Sequence, residues 1–306
     1  MGCLSREGRY VTNLARANIR PMPPRTPSPP PARKRFGQNF LQDATVIHRI
    51  ESAIAPRESD HLVEIGPGRG ALTEALVSTG CRFDAIELDR DLATGLLAAF
   101  SIYPRFRLHK ADALKFDFAA LRDGPEAPRL RVVGNLPYNI STPLIFRLLD
   151  QAELVEDMHF MLQREVVERL AASPGSGQWG RLGIMAQYLC EVEALFDVPP
   201  EAFTPQPKVQ SAVVRLVPWR ESPWPACDRA ALRATVQAAF AQRRKTLRNN
   251  FKGLTTEDTL AALGIDPGAR AETLELPDFI RLANALYDTG HGDGKADERG
   301  GGNGDK

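Results

Sequence analysis

The chain has 306 residues, of which 43% are hydrophobic and 25% are charged, and its formal net charge is +1. This length and composition are typical of one large globular domain with a smaller second one. The sequence has no apolar run near the roughly 20 residues that a membrane helix needs. The four cysteines are scattered and form no C-x-x-C pair. We therefore expect no membrane span, no metal site and a reducing compartment.

The two ends of the chain differ in composition from its middle. Residues 1–35 carry a net charge of +7, and the segment 20–33 is rich in proline. We expect residues 1–32 to be a disordered extension. The arginine-rich opening is typical of a mitochondrial transit peptide; alternatively, Met22 is the true start. Residues 289–306 are glycine-rich and polar, which predicts a disordered tail.

Between these ends, short apolar strands alternate with helical patterns. This rhythm predicts an α/β fold, with a parallel sheet and helices on both of its faces. The predicted strands are 61–66, 83–88, 105–110, 130–135 and 158–163, and the clearest helical patterns are 70–80 and 143–151.

Two further strands, 190–198 and 211–217, are joined by a segment too short for a crossover helix. We therefore expect an antiparallel pair at the sheet edge. From Asp228 to Tyr287 the pattern is helical. The sequence thus predicts an α/β domain over 33–220 and a small all-α domain over 228–288.

The loop EIGPGRG, residues 64–70, follows the first strand of the predicted sheet. Glycines at this position let the backbone approach a ligand beside a helix N-terminus. Glu87 and Asp112 end the next two strands, where carboxylates suit ribose hydroxyls and an adenine amino group. The G-x-G-x-G spacing lacks the pyrophosphate turn of G-x-G-x-x-G. We therefore expect an adenosine without phosphates, as in S-adenosylmethionine; an NAD-dependent oxidoreductase is the alternative.

The fourth strand ends in GNLPY, residues 134–138. The side-chain oxygen of Asn135 and the backbone carbonyl of Leu136 are two acceptors, which suit an exocyclic amine with two N–H donors. Pro137 fixes the turn, and the ring of Tyr138 offers a face on which a base can stack. The stretch therefore predicts a pocket for the amino group of a nucleobase.

A basic segment, FAQRRKTLRNNFK, spans residues 240–252. Helical periodicity would place Phe240, Leu247 and Phe251 on one face. Beside them lies a stripe without acids, which predicts contact with an RNA backbone, although a solvated helix face is the alternative. This basic stripe consists of Arg244, Lys245, Arg248 and Lys252. A second basic run stands at 33–35.

These motifs together closely resemble the family of small-subunit ribosomal RNA adenine N6,N6-dimethyltransferases. RFGQNFL at 35–41 and NLPYNISTP at 135–143 are its most specific matches, and the resemblance runs from Arg33 to Tyr287. It implies a Rossmann-like methyltransferase sheet and S-adenosyl-L-methionine as cofactor. The implied reaction is dimethylation of two adjacent adenosines in a loop of 16S rRNA during small-subunit biogenesis.

The resemblance also implies site residues in this chain. The adenine pocket is implied at Asn135, Leu136 and Tyr138, with Phe203 closing the opposite ring face. The segment GQNFL is expected to fold over the cofactor as a lid. The implied cofactor contacts are Asn39, Leu41, Gly66, Glu87, Asp112 and Asn135.

The resemblance implies a monomer in the bacterial cytoplasm that acts on the pre-ribosomal small subunit. The alternatives are a mitochondrial homologue acting on mitochondrial small-subunit rRNA, a related DNA or RNA adenine N6-methyltransferase, and a non-catalytic RNA-binding factor of the same fold. The intact NLPY stretch and the acids at the strand ends argue against loss of catalysis.

Overall fold

The computed structural model describes residues 38–137 and 140–292. The predicted extension 1–32, the basic run 33–35 and Tyr138 lie outside the described residues. The strands, in chain order, are β1 Phe40–Leu41, β2 His61–Ile65, β3 Arg82–Glu87, β4 Phe106–Lys110, β5 Leu130–Asn135, β6 Val155–Gln163, β7 Cys190–Val198, β8 Phe203–Thr204 and β9 Ser211–Pro218. The helices are α1 Ala44–Ile54, α2 Ala71–Val77, α3 Arg90–Phe100, α4 Ser141–Leu149, α5 Arg164–Leu170, α6 Arg181–Leu189, α7 Arg229–Ala239, α8 Leu247–Asn250, α9 Glu257–Ala262 and α10 Leu276–Gly292.

Within the described residues, seven strands form the central sheet in the order β4-β3-β2-β5-β6-β9-β7. The first five are parallel, and β9 and β7 continue the sheet as antiparallel neighbours. All five residues of β2 are buried, as expected for a central strand covered on both faces. The predicted parallel sheet and antiparallel edge pair are both confirmed. The separate sheet of β1 and β8 was not predicted, because two-residue strands carry no periodicity.

Apolar side chains cover both faces of the sheet. Helix α1 packs Ile50 and Ile54 against one face, and α4 packs Leu144 and Leu148 against the other. A third cluster joins Trp179 and part of α6 to α7 and α10. Since α6 belongs to the segment assigned to the α/β domain, residues 172–188 help to build the core of the helical unit.

The predicted continuous helix over residues 240–252 is wrong. Helix α7 ends at Ala239, and α8 covers only four residues. Long-range hydrogen bonds explain the break: Asn250 Nδ2 donates to the carbonyl of Ala239 at 2.7 Å, and the Leu247 amide donates to the carbonyl of Ala269 at 2.8 Å. Leu247 and Phe251 are nevertheless fully buried, and both belong to the third apolar cluster.

Helix α10 continues to Gly292, beyond the predicted end at Tyr287. The glycines near its end are weak helix formers and led the sequence pattern to predict an earlier boundary. The rest of the predicted tail, from residue 293, lies outside the described part of the chain. None of the described helices is both long and apolar enough to cross a membrane.

Candidate active site

The loop after β2 contains glycines whose backbone conformations other residues rarely adopt. Gly66, Gly68 and Gly70 have φ values of 66°, 62° and 84°, a region that L-residues with side chains rarely adopt. A Cβ on Gly68 would also lie 3.1 Å from the ring of Phe40. The loop therefore passes close beneath the segment that begins the described chain, and it turns directly into α2.

Two carboxylates stand at the neighbouring strand ends. Glu87 accepts hydrogen bonds from the Gly68 amide at 3.2 Å and from the Asp89 amide at 2.8 Å. Asp112, two residues after β4, accepts from the Leu114 amide at 3.0 Å. Burial raises the pKa of Glu87, although its backbone donors act in the opposite direction. These bonds fix both carboxylates at the carboxyl edge of the sheet, where a ligand can reach them.

The contacts at the end of β5 explain why Gly134 and Asn135 occupy this position. A Cβ on Gly134 would lie 2.6 Å from the carbonyl oxygen of Ile65, so the strands can pair here only around a glycine. Asn135 Nδ2 donates to the backbone carbonyl of Asn39 at 3.0 Å. With its nitrogen held there, the amide of Asn135 presents its oxygen in the other direction, as an acceptor.

The turn that follows is closed by the backbone. The carbonyl of Pro137 accepts a hydrogen bond from the Ile140 amide at 3.1 Å, and the Leu136 amide donates to the carbonyl of Met161 at 3.2 Å. Leu136 is thereby tied to β6, next to Asn135. The predicted role of Pro137 in fixing this turn stays a prediction, since these bonds do not involve its ring.

The segment Gln38–Leu41 covers the site as the sequence predicted. Leu41 pairs with Phe203 in the β1–β8 sheet, and the guanidinium carbon of Arg69 lies 4.3 Å from the centre of the Phe40 ring. The side chain of Gln38 donates to Asp89 at 3.3 Å. This segment, called the lid below, is thus attached to both the glycine loop and the sheet edge.

A cavity of about 190 Å³ lies under the lid. Its walls contain three carboxylates, three side-chain amides, one imidazole and one guanidinium besides apolar side chains. The carboxylate and amide oxygens are acceptors that suit the hydroxyl and amino donors of a nucleoside. The structure therefore brings together every predicted cofactor residue and two residues of the predicted adenine pocket, of which Asn135 belongs to both sets. These lining residues are Asn39, Leu41, Gly66, Glu87, Asp112, Asn135 and Leu136.

Phe203 is placed differently from the other predicted site residues. Its side chain is 1% exposed and packs in the core with Leu41 and Val213. It is not part of the cavity wall. Its predicted role as a stacking face for adenine stays a prediction, which would require the ring to become accessible.

Two buried polar residues that the sequence did not predict as contacts also line the cavity: Glu64 and His159. Glu64 is 2% exposed and accepts a hydrogen bond from the Thr73 hydroxyl at 2.5 Å. Burial raises its pKa to about 8. An acid inside the apolar run HLVEIG was the available indication for Glu64. For His159 the indication was likewise a polar residue inside an apolar run, MHFMLQ.

The comparison with known proteins assigns the chain to a family. Residues 31–288 match the family described as ribosomal RNA adenine dimethylase. The chain belongs to this family. Over 255 residues it is 61% identical to ribosomal RNA small subunit methyltransferase A of Pseudomonas aeruginosa, covering 83% of this chain and 94% of that protein. The protein of the same name from Chromohalobacter salexigens is 58% identical over 260 residues, covering 84% and 92%.

Solved structures agree with this assignment. A dimethyladenosine transferase from Plasmodium falciparum superimposes with a TM-score of 0.71 at 26% identity, covering 82% of this chain and 98% of that one. The 23S rRNA methyltransferase ErmE gives a TM-score of 0.64 at 27% identity, covering 81% and 100%. The predicted family, Rossmann-like methyltransferase fold, rRNA adenine dimethyltransferase activity and S-adenosylmethionine cofactor are therefore confirmed. An NAD-dependent oxidoreductase is not supported.

Proposed function

We propose that this dimethyltransferase modifies two adjacent adenosines in a loop of 16S rRNA, giving N6,N6-dimethyladenosine during small-subunit biogenesis. Relatives named for small-subunit methylation support the choice of subunit. The observation that carries the site assignment is the hydrogen bond from Asn135 to Asn39. It turns the oxygen of the Asn135 amide away from the lid while both residues border the cofactor cavity.

Asn135 and Leu136 act on the geometry of the attacking nitrogen. The N6 lone pair of adenine is delocalised into the ring, so the nitrogen must become more pyramidal before it can attack. Hydrogen bonds from its two N–H groups to the Asn135 oxygen and the Leu136 carbonyl favour this change. They also hold the nitrogen in line with the methyl donor, and such alignment is worth several kcal/mol.

A neutral amide is sufficient at this position, because the methylated nitrogen is acidic and loses its proton without a strong base. After the first transfer only one N–H remains, so the pocket must tolerate one acceptor without its partner. Tyr138 offers a face for the base, and an unpaired RNA loop supplies a base that leaves its stack easily. Glu87 and Asp112 hold the ribose and adenine of the cofactor.

Two surfaces support RNA as the macromolecular partner. The basic stripe of Arg244, Lys245, Arg248 and Lys252 is exposed. A second cavity of about 560 Å³ lies between α4, α6 and α7 and is lined by three arginines and one acid. Its lining also includes residues that follow shortly after Asp112 and after the NLPY turn. This second cavity therefore adjoins the reaction site. The charged residues are Arg147, Arg181, Arg233 and Asp150.

We further propose that residues 33–220 carry the transfer, that 228–288 bind RNA, and that the protein acts as a monomer in the bacterial cytoplasm. The bacterial relatives favour this setting over the mitochondrial alternative. This proposal includes Phe203 as the second stacking face, exposed when RNA displaces the lid.

The test is nucleoside mass spectrometry of unmethylated small-subunit RNA after incubation with the chain and S-adenosylmethionine. We expect N6,N6-dimethyladenosine at two adjacent positions. The variant Tyr138→Phe keeps the ring and should still give this product, whereas Tyr138→Ala removes a stacking face worth about 1–3 kcal/mol. Methylation of another atom, or equal loss of activity in both variants, would contradict the proposal.

A further inference from the structure

Arg69 brings a positive charge to the wall of the cofactor cavity. Three carboxylates line this cavity, those of Glu64, Glu87 and Asp112, against the single guanidinium of Arg69. Lysine and a second arginine are absent from the described part of the wall. S-adenosylmethionine carries one anionic group, the carboxylate of its methionine part. Among the described residues, that carboxylate therefore has one cationic side chain available to it in this cavity.

The order of the strand ends gives the cofactor its direction in the cavity. Glu87 ends β3 and Asp112 follows β4, while Asn135 ends β5. In the sheet order β4-β3-β2-β5, the end of β2 stands between the two acids and Asn135. If the acids hold the adenosine and the methyl group faces Asn135, the sulfur lies above the end of β2. The methionine part, attached to that sulfur, then lies beside the glycine loop that leaves β2.

The glycine loop lies between the transfer site and the lid. A Cβ on Gly66 would be 4.0 Å from Cδ of Pro137 in the NLPY turn, and a Cβ on Gly68 would be 3.1 Å from the ring of Phe40. The loop therefore passes close to both of the segments that enclose the reacting part of the cofactor. Arg69 is the one charged residue between Gly66 and the start of α2.

The side chain of Arg69 lies over a ring of the lid. Its guanidinium carbon is 4.3 Å from the centre of the Phe40 ring, which is a cation–π contact. Phe40 is itself buried, so its ring is a fixed surface for the guanidinium. A guanidinium placed over a ring keeps its planar fork of N–H donors at the edge. This fork binds a carboxylate through two parallel hydrogen bonds.

We propose that Arg69 binds the carboxylate of the methionine part of S-adenosylmethionine, with its guanidinium positioned by Phe40 of the lid. The inference rests on the proposed cofactor contacts of Glu87 and Asp112, since these decide which end of the cofactor reaches the glycine loop. Arg69 is then a specificity-determining residue. A cofactor analogue without the carboxylate loses this contact and keeps the others.

An RNA phosphate is the other anion that an exposed arginine at the mouth of this cavity could bind. The cofactor carboxylate is favoured, because Arg69 lines the same cavity as Glu87 and Asn135, whereas the basic stripe lies in the helical unit. The two roles differ in a way that can be measured. A carboxylate contact affects cofactor binding in the absence of RNA, and a phosphate contact does not.

The experiment measures, by calorimetry without RNA, how the full chain binds S-adenosylmethionine and its decarboxylated form, which keeps the adenosine, the sulfonium and the amine. Arg69→Ala should bind the intact cofactor about tenfold more weakly than the wild type does. It should bind the decarboxylated form at least as well as the wild type, since that ligand offers the guanidinium no anion. Arg69→Lys keeps the charge without the planar fork and should recover part of the loss. Arg69→Met keeps a long stem over Phe40 without the charge and should behave like Arg69→Ala.

Arg90→Ala is the matched control, because Arg90 is exposed at the start of α3 and lines a neighbouring cavity together with Asp112. It removes the same charge at the adenosine end, so it should change the affinities for both ligands by the same factor. Unchanged cofactor affinity in Arg69→Ala, an equal loss for both ligands, or full recovery by Arg69→Met would overturn the inference. Glu87→Ala should weaken both ligands alike. If it weakens neither, the proposed cofactor contacts fail instead, so the two failures are distinguishable.

Discussion

The side-chain amide of Asn135 donates a hydrogen bond to the backbone carbonyl of Asn39 at 3.0 Å, and the two residues are 96 positions apart in the chain. One residue ends a central strand, and the other lies in the lid. The bond makes the orientation of the amide depend on the position of the lid. We therefore expect the position of the lid and the orientation of the proposed acceptor to be coupled.

Replacing Asn135 separates its two roles. Asn135→Ala removes the acceptor and the lid contact, and it should give almost no dimethyladenosine. Asn135→Asp keeps an acceptor but sets a carboxylate against the Asn39 carbonyl and stabilises the cationic cofactor in its ground state, so we expect slower transfer with cofactor binding retained. Product nucleosides are measured by mass spectrometry, and cofactor binding by calorimetry.

A matched control for these variants is Asn284→Ala, because the side chain of Asn284 donates to the carbonyl of Ala226 outside the site. This control should be fully active. Normal dimethylation by Asn135→Ala would remove Asn135 from the proposed mechanism.

Glu87 should determine cofactor affinity. Its carboxylate is held by the Gly68 and Asp89 amides and is expected to accept the ribose hydroxyls. Glu87→Ala should weaken S-adenosylmethionine binding by about 2–4 kcal/mol, since charge-assisted hydrogen bonds are lost. Calorimetric titration measures this, with the exposed Glu58→Ala as control. Unchanged affinity in Glu87→Ala would exclude the residue from the cofactor site.

The basic stripe should contribute to RNA affinity and its salt dependence but not to cofactor binding. Reversing Arg244, Arg248 and Lys252 to Glu removes cations from the RNA backbone. RNA binding should therefore weaken, and its slope against salt should become shallower by about 0.7 for each phosphate of an unpaired strand that is no longer neutralised. Filter binding over a range of salt concentrations measures both. Arg57→Glu is the control, because Arg57 is exposed in the loop before β2, at the amino end of that strand. Unaltered RNA affinity in the triple variant would identify the stripe as a solvated face.

The strand ends could be predicted because their determinants are local. The glycines after β2, Glu87 and the NLPY turn each follow an apolar run, and parallel strands bring their carboxyl ends to one edge. The break after Ala239 could not be predicted, because the Asn250 and Leu247 bonds that cause it depend on the tertiary structure. The burial of Phe203 likewise follows from its pairing with Leu41 in a sheet of two-residue strands.

The buried Glu64 should make the stability of the protein depend on pH. Burial raises its pKa from 4.5 to about 8, so between these values the folded state keeps a proton that the unfolded state releases. The free energy of unfolding should therefore fall as the pH rises through this window. Gln in place of Glu64 still accepts from the Thr73 hydroxyl and has no proton to lose.

Thermal unfolding of the wild type and of Glu64→Gln tests this relationship directly. The stability of the variant relative to the wild type should increase as the pH rises from 4.5 to about 8, because only the wild type must hold a carboxyl protonated or bury its charge. Glu74→Gln, an exposed position on the neighbouring helix α2, should instead follow the wild-type curve. Parallel pH profiles for wild type and Glu64→Gln would mean that the buried carboxyl is ionised in the folded protein, with its charge compensated inside the cavity.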